Sequence, residues 1–117
     1  MKKLLCALAA VIMLVSACKD ETPAEIQNDK VYFFFSNSCP HCHHAMEYIN
    51  KKYPDAQITM VNVGNRSGYQ LFLKCAEKFK LGNRLGTPLF CMGYRYIMGW
   101  APEYEKKFDL YMRPFLN

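Results

Sequence analysis

One tryptophan, six glycines and six prolines among 117 residues are too few for a collagen-like or low-complexity chain. No heptad pattern is sustained and no segment repeats, which excludes a coiled coil or a solenoid. Charge of a single sign is scarce too: fifteen Lys and Arg face ten Asp and Glu, for a net charge of +5. The basic excess is mild and scattered, so no nucleic-acid partner is expected, and Lys51-Lys52 and Lys106-Lys107 read as solvated helix faces. Also missing is a run of about 20 apolar residues, the length a membrane-spanning helix requires. The length allows one domain.

What the chain does have begins at its N-terminus. Lys2 and Lys3 precede 14 mostly apolar residues, Leu4 to Ala17, the pattern of a signal sequence over residues 1–17. The ending Leu14-Val15-Ser16-Ala17-Cys18 resembles a bacterial lipobox, in which Cys18 becomes the acylated first residue. The expected mature chain, residues 18–117, carries 13 basic and 10 acidic residues and a net charge of +3. It is expected to be exported and anchored by lipid to a bacterial membrane, facing the periplasm or extracytoplasmic space. Residues 18–30, CKDETPAEIQNDK, are polar and suit a flexible tether, leaving 31–117 as the domain.

Within the domain, Val31 to Phe35 is a continuous apolar run of strong β propensity, the mark of a strand buried on both faces. A helix follows to about Tyr53, its stripe Cys42, Met46, Ile49 and Tyr53 falling at helical spacing. Gln57 to Val63 predicts a second strand, and Gly64 to Gly68 a turn. Tyr69 to Leu81 predicts a second helix with Phe72, Cys75, Ala76 and Phe79 inward and Gly82 as its cap. Two short strands, Leu89–Met92 and Arg95–Met98, turn near Gly93-Tyr94, and a third helix runs from Pro102 to about Met112. The order β-α-β-α-β-β-α predicts an α/β fold with a four-stranded mixed sheet and helices on both faces, the thioredoxin-like arrangement. Tyr94 and Trp100 read as hairpin and core packing.

Cys39-Pro40-His41-Cys42 lies where the first strand hands over to a helix. At a helix N-terminus, unpaired N–H groups and the positive end of the dipole favour a thiolate at Cys39. Pro40 suits the first helical position, and Cys42, three residues on, turns toward the core. These positions make Cys39 the nucleophile and Cys42 the resolving thiol, with Pro40 and His41 as the tuning dipeptide. The pair itself would carry two electrons, so no bound cofactor and no metal are expected, and the partners are protein thiol or disulfide clients and a redox partner.

The stretch FFFSNSCPHC, Phe33 to Cys42, resembles the active-site segment of the DsbA-like periplasmic disulfide oxidoreductases, whose usual motif is CPHC. Ala76 through Leu81-Gly82 to Gly86-Thr87-Pro88, with Phe90, Gly93 and Gly99, resembles their second half, so the likeness spans about Val31 to Met112. It implies a cis peptide before Pro88, with the backbone of Thr87 presented to a client segment. It also implies oxidation of client thiols. Two features depart from that family. Only about 15 residues separate Asn50 from Asn65, so its large helical insertion is absent. The first strand carries no carboxylate to take the Cys42 proton, leaving Glu47 as the nearest substitute. A client-specific reductase is the alternative these departures keep open.

Other chemistries fit parts of the pattern. Cys39 to His43 satisfies C-x-x-C-H, the haem attachment motif, with Met60, Met92, Met98 or Met112 as an axial ligand; the strand-rich surroundings do not suit a small cytochrome. Cys39, Cys42, His41, His43 and His44 place five ligands within six residues, the ligand types of a copper or zinc carrier, yet a helix spreads them over different faces. A purely structural disulfide across so short a loop adds little stability. Cys75 and Cys91 are a candidate second disulfide or two buried small hydrophobes, and both readings stand.

Overall fold

The computed structural model describes residues 22–116. The signal sequence and Cys18 lie outside the described residues. Strand β1 (Val31–Phe35) leads to helix α1 (Pro40–Lys52), β2 (Ile58–Asn62) and helix α2 (Arg66–Lys78). The hairpin β3 (Leu89–Met92) and β4 (Arg95–Met98) follows, then a 3-10 turn at Pro102–Tyr104 and helix α3 (Glu105–Met112). The sheet order is β2-β1-β3-β4. β1 runs parallel to β2, Val31 opposite Ile58, and antiparallel to β3, Phe34 opposite Leu89. Among the described residues no helix is long and apolar enough to cross a membrane.

The period-two alternation of β1 explains why helices cover both faces. Val31 and Phe33 join Phe90, Ile97, Trp100, Phe108 and the inner residues of α1, which places α1 and α3 on one face. Tyr32 and Phe34 join Val61, Leu89, Cys91 and the inner residues of α2 on the other. No polar or charged residue is buried among the described residues.

Helix boundaries depart from the sequence expectation in three places. α2 starts at Arg66 and not at Tyr69, so Ser67 and Gly68 form its first turn. Gly68 makes this close approach workable, because a Cβ there would lie 2.0 Å from the Asn62 carbonyl oxygen. The same helix ends at Lys78, and its cap is not Gly82. Leu81 N–H donates to the Ala76 carbonyl (2.9 Å) and Lys80 N–H to that of Glu77 (3.1 Å), with Lys80 left-handed at φ 53°. This is a Schellman ending with lysine where glycine is usual. The third helix opens as a 3-10 turn, Pro102 to Tyr104, before α3 proper.

Residues 24–28, read from sequence as part of a tether, lie against α2. Lys74 Nζ donates to the Ala24 carbonyl and Glu25 Oε2, each at 2.8 Å, and Lys78 donates to Asn28 Oδ1. Gln27 N–H donates to the Tyr32 hydroxyl at 2.9 Å, and Ile26 packs on the α2-side core.

Candidate active site

The site grows from the C-terminal end of β1. After Ser36 to Ser38 the chain turns, and Cys39 becomes the N-cap of α1 in extended conformation (φ −111°, ψ 101°). Its sulfur accepts the Cys42 N–H at 3.1 Å, and its carbonyl accepts the N–H groups of Cys42 (3.1 Å) and His43 (3.3 Å). Cysteine thus takes the capping role that Ser or Asp usually fills. Pro40 stands in the first helical turn, where its missing N–H costs nothing, and no acidic residue there opposes a negative sulfur. Cys39 and Cys42 form a disulfide with Cα atoms 5.2 Å apart.

The expected difference in exposure between the two cysteines is present but small: Cys39 is 7% exposed and Cys42 fully buried. Cys42 belongs to the core on the α1 side, together with Phe33 and Phe90. His41, His43 and His44 are all exposed on α1, with the His41 and His44 rings 6.3 Å apart. Among the described residues no three His, Cys, Asp or Glu side chains are gathered to hold a metal ion. Glu47 is exposed, so no buried carboxylate lies beneath Cys42 among the described residues.

The Thr87–Pro88 peptide is cis. Pro88 is buried and Thr87 half-buried directly before β3. Because Leu89 pairs with Phe34, this turn and the segment from Phe35 to Cys39 occupy the same end of the sheet. The Pro88 carbonyl accepts the Gly99 N–H at 2.8 Å, tying the turn to the end of the hairpin.

Cys75 on α2 and Cys91 on β3 meet in the core on the opposite face of the sheet, both buried and both free thiols. A hydrogen bond with Cys91, together with burial, pushes the Cys75 thiol far above its ordinary range. The sequence brought this pair into consideration as a disulfide; the structure brings the two together as thiols.

Two features lie beyond the expected residues. A groove of about 830 Å³ opens beside the motif, walled by His41, His44 and Tyr48 on α1 and by Trp100, Pro102 and Glu105 opposite. Its floor is aromatic: Trp100 lies 5.6 Å from Tyr48, 5.8 Å from Phe90 and 5.6 Å from Phe108, ring centre to ring centre. The second is a polar hub joining α1 to α3. The Asp109 carboxylate accepts hydrogen bonds from Tyr48 (2.8 Å), Tyr53 (2.6 Å) and Lys52 (2.7 Å). Burial pushes the Asp109 carboxyl upward, but the bonds from Lys52, Tyr53 and Tyr48 outweigh it and hold it below the usual range. Burial and the same carboxylate raise Tyr53 to about 12. The sequence marked Tyr53 only as part of the apolar stripe of the first helix, and nothing in the spacing marked Tyr48 or Asp109.

No family model matches the chain, and no curated protein matches its sequence. Solved structures do match its shape. A buckwheat glutaredoxin in complex with glutathione superposes with a TM-score of 0.51 at 18% identity, covering 74% of each chain. A glutaredoxin from Archaeoglobus fulgidus superposes with a TM-score of 0.52 at 16% identity, covering 67% of this chain and 83% of its own. The fold is thioredoxin-like. Within this thioredoxin-like fold, the Cys39–Cys42 disulfide begins the helix after the central strand, and the cis Thr87–Pro88 turn lies at the same end of the sheet.

Proposed function

We propose that the protein is an extracytoplasmic thiol–disulfide oxidoreductase of the DsbA-like kind, anchored by lipid at Cys18, that oxidises the thiols of protein clients. The observation that carries this reading is the Cys39–Cys42 disulfide at the N-terminus of α1 in a thioredoxin-like fold, with Cys39 as the cap and Cys42 in the core. A client thiolate attacks the Cys39 sulfur, the Cys39–Cys42 bond breaks, and the electron pair leaves on Cys42. The client's second thiolate then attacks its own sulfur in the mixed disulfide and expels Cys39 as a thiolate. The client loses two electrons and two protons, and the cysteine pair takes both. The electrons therefore need no bound cofactor.

The direction rests on the stability of the reduced form. In the disulfide form the Cys42 N–H already donates to the Cys39 sulfur at the N-terminus of α1, and on reduction the same N–H and the helix dipole would favour the thiolate that the client expels. A stabilised thiolate makes the disulfide the stronger oxidant. Thr87 and Pro88 would present backbone to the client segment. A Cys42→Ser variant should accumulate mixed disulfides through Cys39 that dithiothreitol releases. Absence of such adducts, in a folded variant with Cys39 reduced, contradicts the assignment.

A further inference from the structure

The topology sends three helix ends to one pole. β1 carries the chain toward Cys39, and α1 returns from there to Lys51 and Lys52, just before β2. α2 and α3 likewise end away from the disulfide, at Lys78 and next to Arg113. The β3–β4 turn lies at this same pole, because Met92 pairs with Val31, the first residue of β1. Basic residues at helix C-termini answer the helix dipole and require no ligand to explain them. Arg95 and Tyr94 are on no helix, and that account does not cover them.

Tyr94 is 81% exposed, the most exposed large hydrophobic residue among those described. Lys78 lies 5.6 Å from its ring and Arg95 lies 4.8 Å from the ring of Tyr111. Lys30, Lys51, Lys78, Lys80, Arg95 and Arg113 gather at this pole, against the carboxylates of Asp29, Asp55 and Glu77, while Lys52 is tied to Asp109. Among the described residues this leaves an excess of three cations here.

The N-terminal segment meets the fold here. The Asn28 carbonyl crosses 3.0 Å from the position a Cβ would take on Gly93, and the Asn28 side chain accepts from Lys78. Ala24, one helical turn back along α2 at Lys74, is six residues from Cys18. Six extended residues span at most about 20 Å, so an anchor at Cys18 permits contact at this pole, and the choice of pole rests on its cations and Tyr94.

We propose that this pole docks on the anionic headgroups of the phospholipid bilayer through Lys78, Tyr94, Arg95 and Arg113, turning the Cys39–Cys42 disulfide away from the membrane. The proposal rests on the lipid-anchor reading for its biological setting, but the surface binds headgroups by its own chemistry. Cations attract the anionic layer, and a tyrosine at the tip of a hairpin suits the interfacial zone, with its ring in the apolar part and its hydroxyl in the wet part. An acidic protein would meet the same charges, yet it would not account for an aromatic tip beside the segment that leads to the anchor.

The test uses residues 19–117 without acylation, since every described helix and strand and both core clusters lie within residues 26–115. Co-sedimentation is measured with vesicles of phosphatidylglycerol mixed with phosphatidylcholine, and with vesicles of phosphatidylcholine alone. Binding is expected only to the anionic vesicles, falling as salt rises and untouched by inorganic phosphate at equal ionic strength. The double variant Tyr94→Ser, Arg95→Ser should bind at least about five-fold more weakly, the value of one interfacial cation, while staying folded at the assay temperature and exchanging thiols at the parent rate. Equal binding to both vesicle types, equal binding by the variant, or no binding each overturns the proposal; the last leaves an acidic protein as the occupant. Acylation of Cys18 is read separately from the mass of the full chain expressed in a bacterium. An acylated chain whose fragment ignores vesicles defeats the docking surface alone, and an unacylated chain whose fragment binds them defeats the anchor alone.

Discussion

Replacing Gly68 by alanine sets two effects of opposite sign against each other. Gly68 lies in the first turn of α2, where alanine has the better helix propensity, a gain of at most about 1 kcal/mol. The new Cβ would lie 2.0 Å from the Asn62 carbonyl oxygen and 3.2 Å from a Val61 methyl. Ordinary contact would require the helix start to move by more than ~1 Å from β2, against a close-packed interior. Overpacking of this kind costs about 1–3 kcal/mol, and a rigid backbone oxygen places the case at the upper end. The net expectation is a loss of about 2 kcal/mol, or a fall in melting temperature of roughly 8–16 °C for a domain of this size. Thermal and urea unfolding followed by circular dichroism measure it. Gly86→Ala is the control, because its Cβ would meet nothing within 4 Å. A Gly68→Ala protein that melts at or above the parent would refute the close approach of α2 to β2.

Lys80→Gly should stabilise the fold by about 1 kcal/mol, since Lys80 holds the left-handed position that ends α2; an unchanged urea midpoint would speak against that ending. Asp109→Asn should cost about 1–2 kcal/mol after allowance for the partial exposure of the carboxylate. Asp109 titrates lower in the folded chain than in the unfolded one, so its contribution is full above about pH 4 and is lost as the pH falls through the folded value. Urea titrations across the acid range should show a shallower loss in the Asn variant. Tyr53 behaves in the opposite sense: held up at about 12, it contributes fully below the ordinary tyrosine value and loses that contribution as the pH climbs to 12. Tyr53→Phe should flatten that alkaline limb. Cys75→Ala should destabilise a buried site on the far side of the sheet while leaving the Cys39–Cys42 exchange rate unchanged, measured with a small disulfide.

The parts of the fold legible in the sequence were those written in local periodicity. Five successive apolar residues, Val31 to Phe35, announced a strand covered on both faces, and the stripe through Cys42 and Ile49 announced the face of α1. The C-x-x-C pair was legible because strand, Pro40 and helix stood around it in order. Helix ends were harder. Ser67 and Gly68 read as turn residues, and only the approach to Asn62 shows why a glycine belongs inside a helix there. Lys80 hid the true end of α2 because a left-handed lysine has no sequence signature. The Asp109 hub joins residues 56 to 61 positions apart, and the groove joins the outer face of α1 to the chain after β4. No window of sequence contains either one.

The most direct measurement is the equilibrium between the Cys39–Cys42 pair and glutathione in residues 19–117, read by the fraction of pair oxidised at defined glutathione ratios. Ready exchange is expected, with a two-electron potential near or above about −150 mV, the range of a disulfide donor. A value near or below about −230 mV would reverse the direction of electron flow. A pair that fails to exchange with glutathione, in folded protein, would contradict the redox function itself.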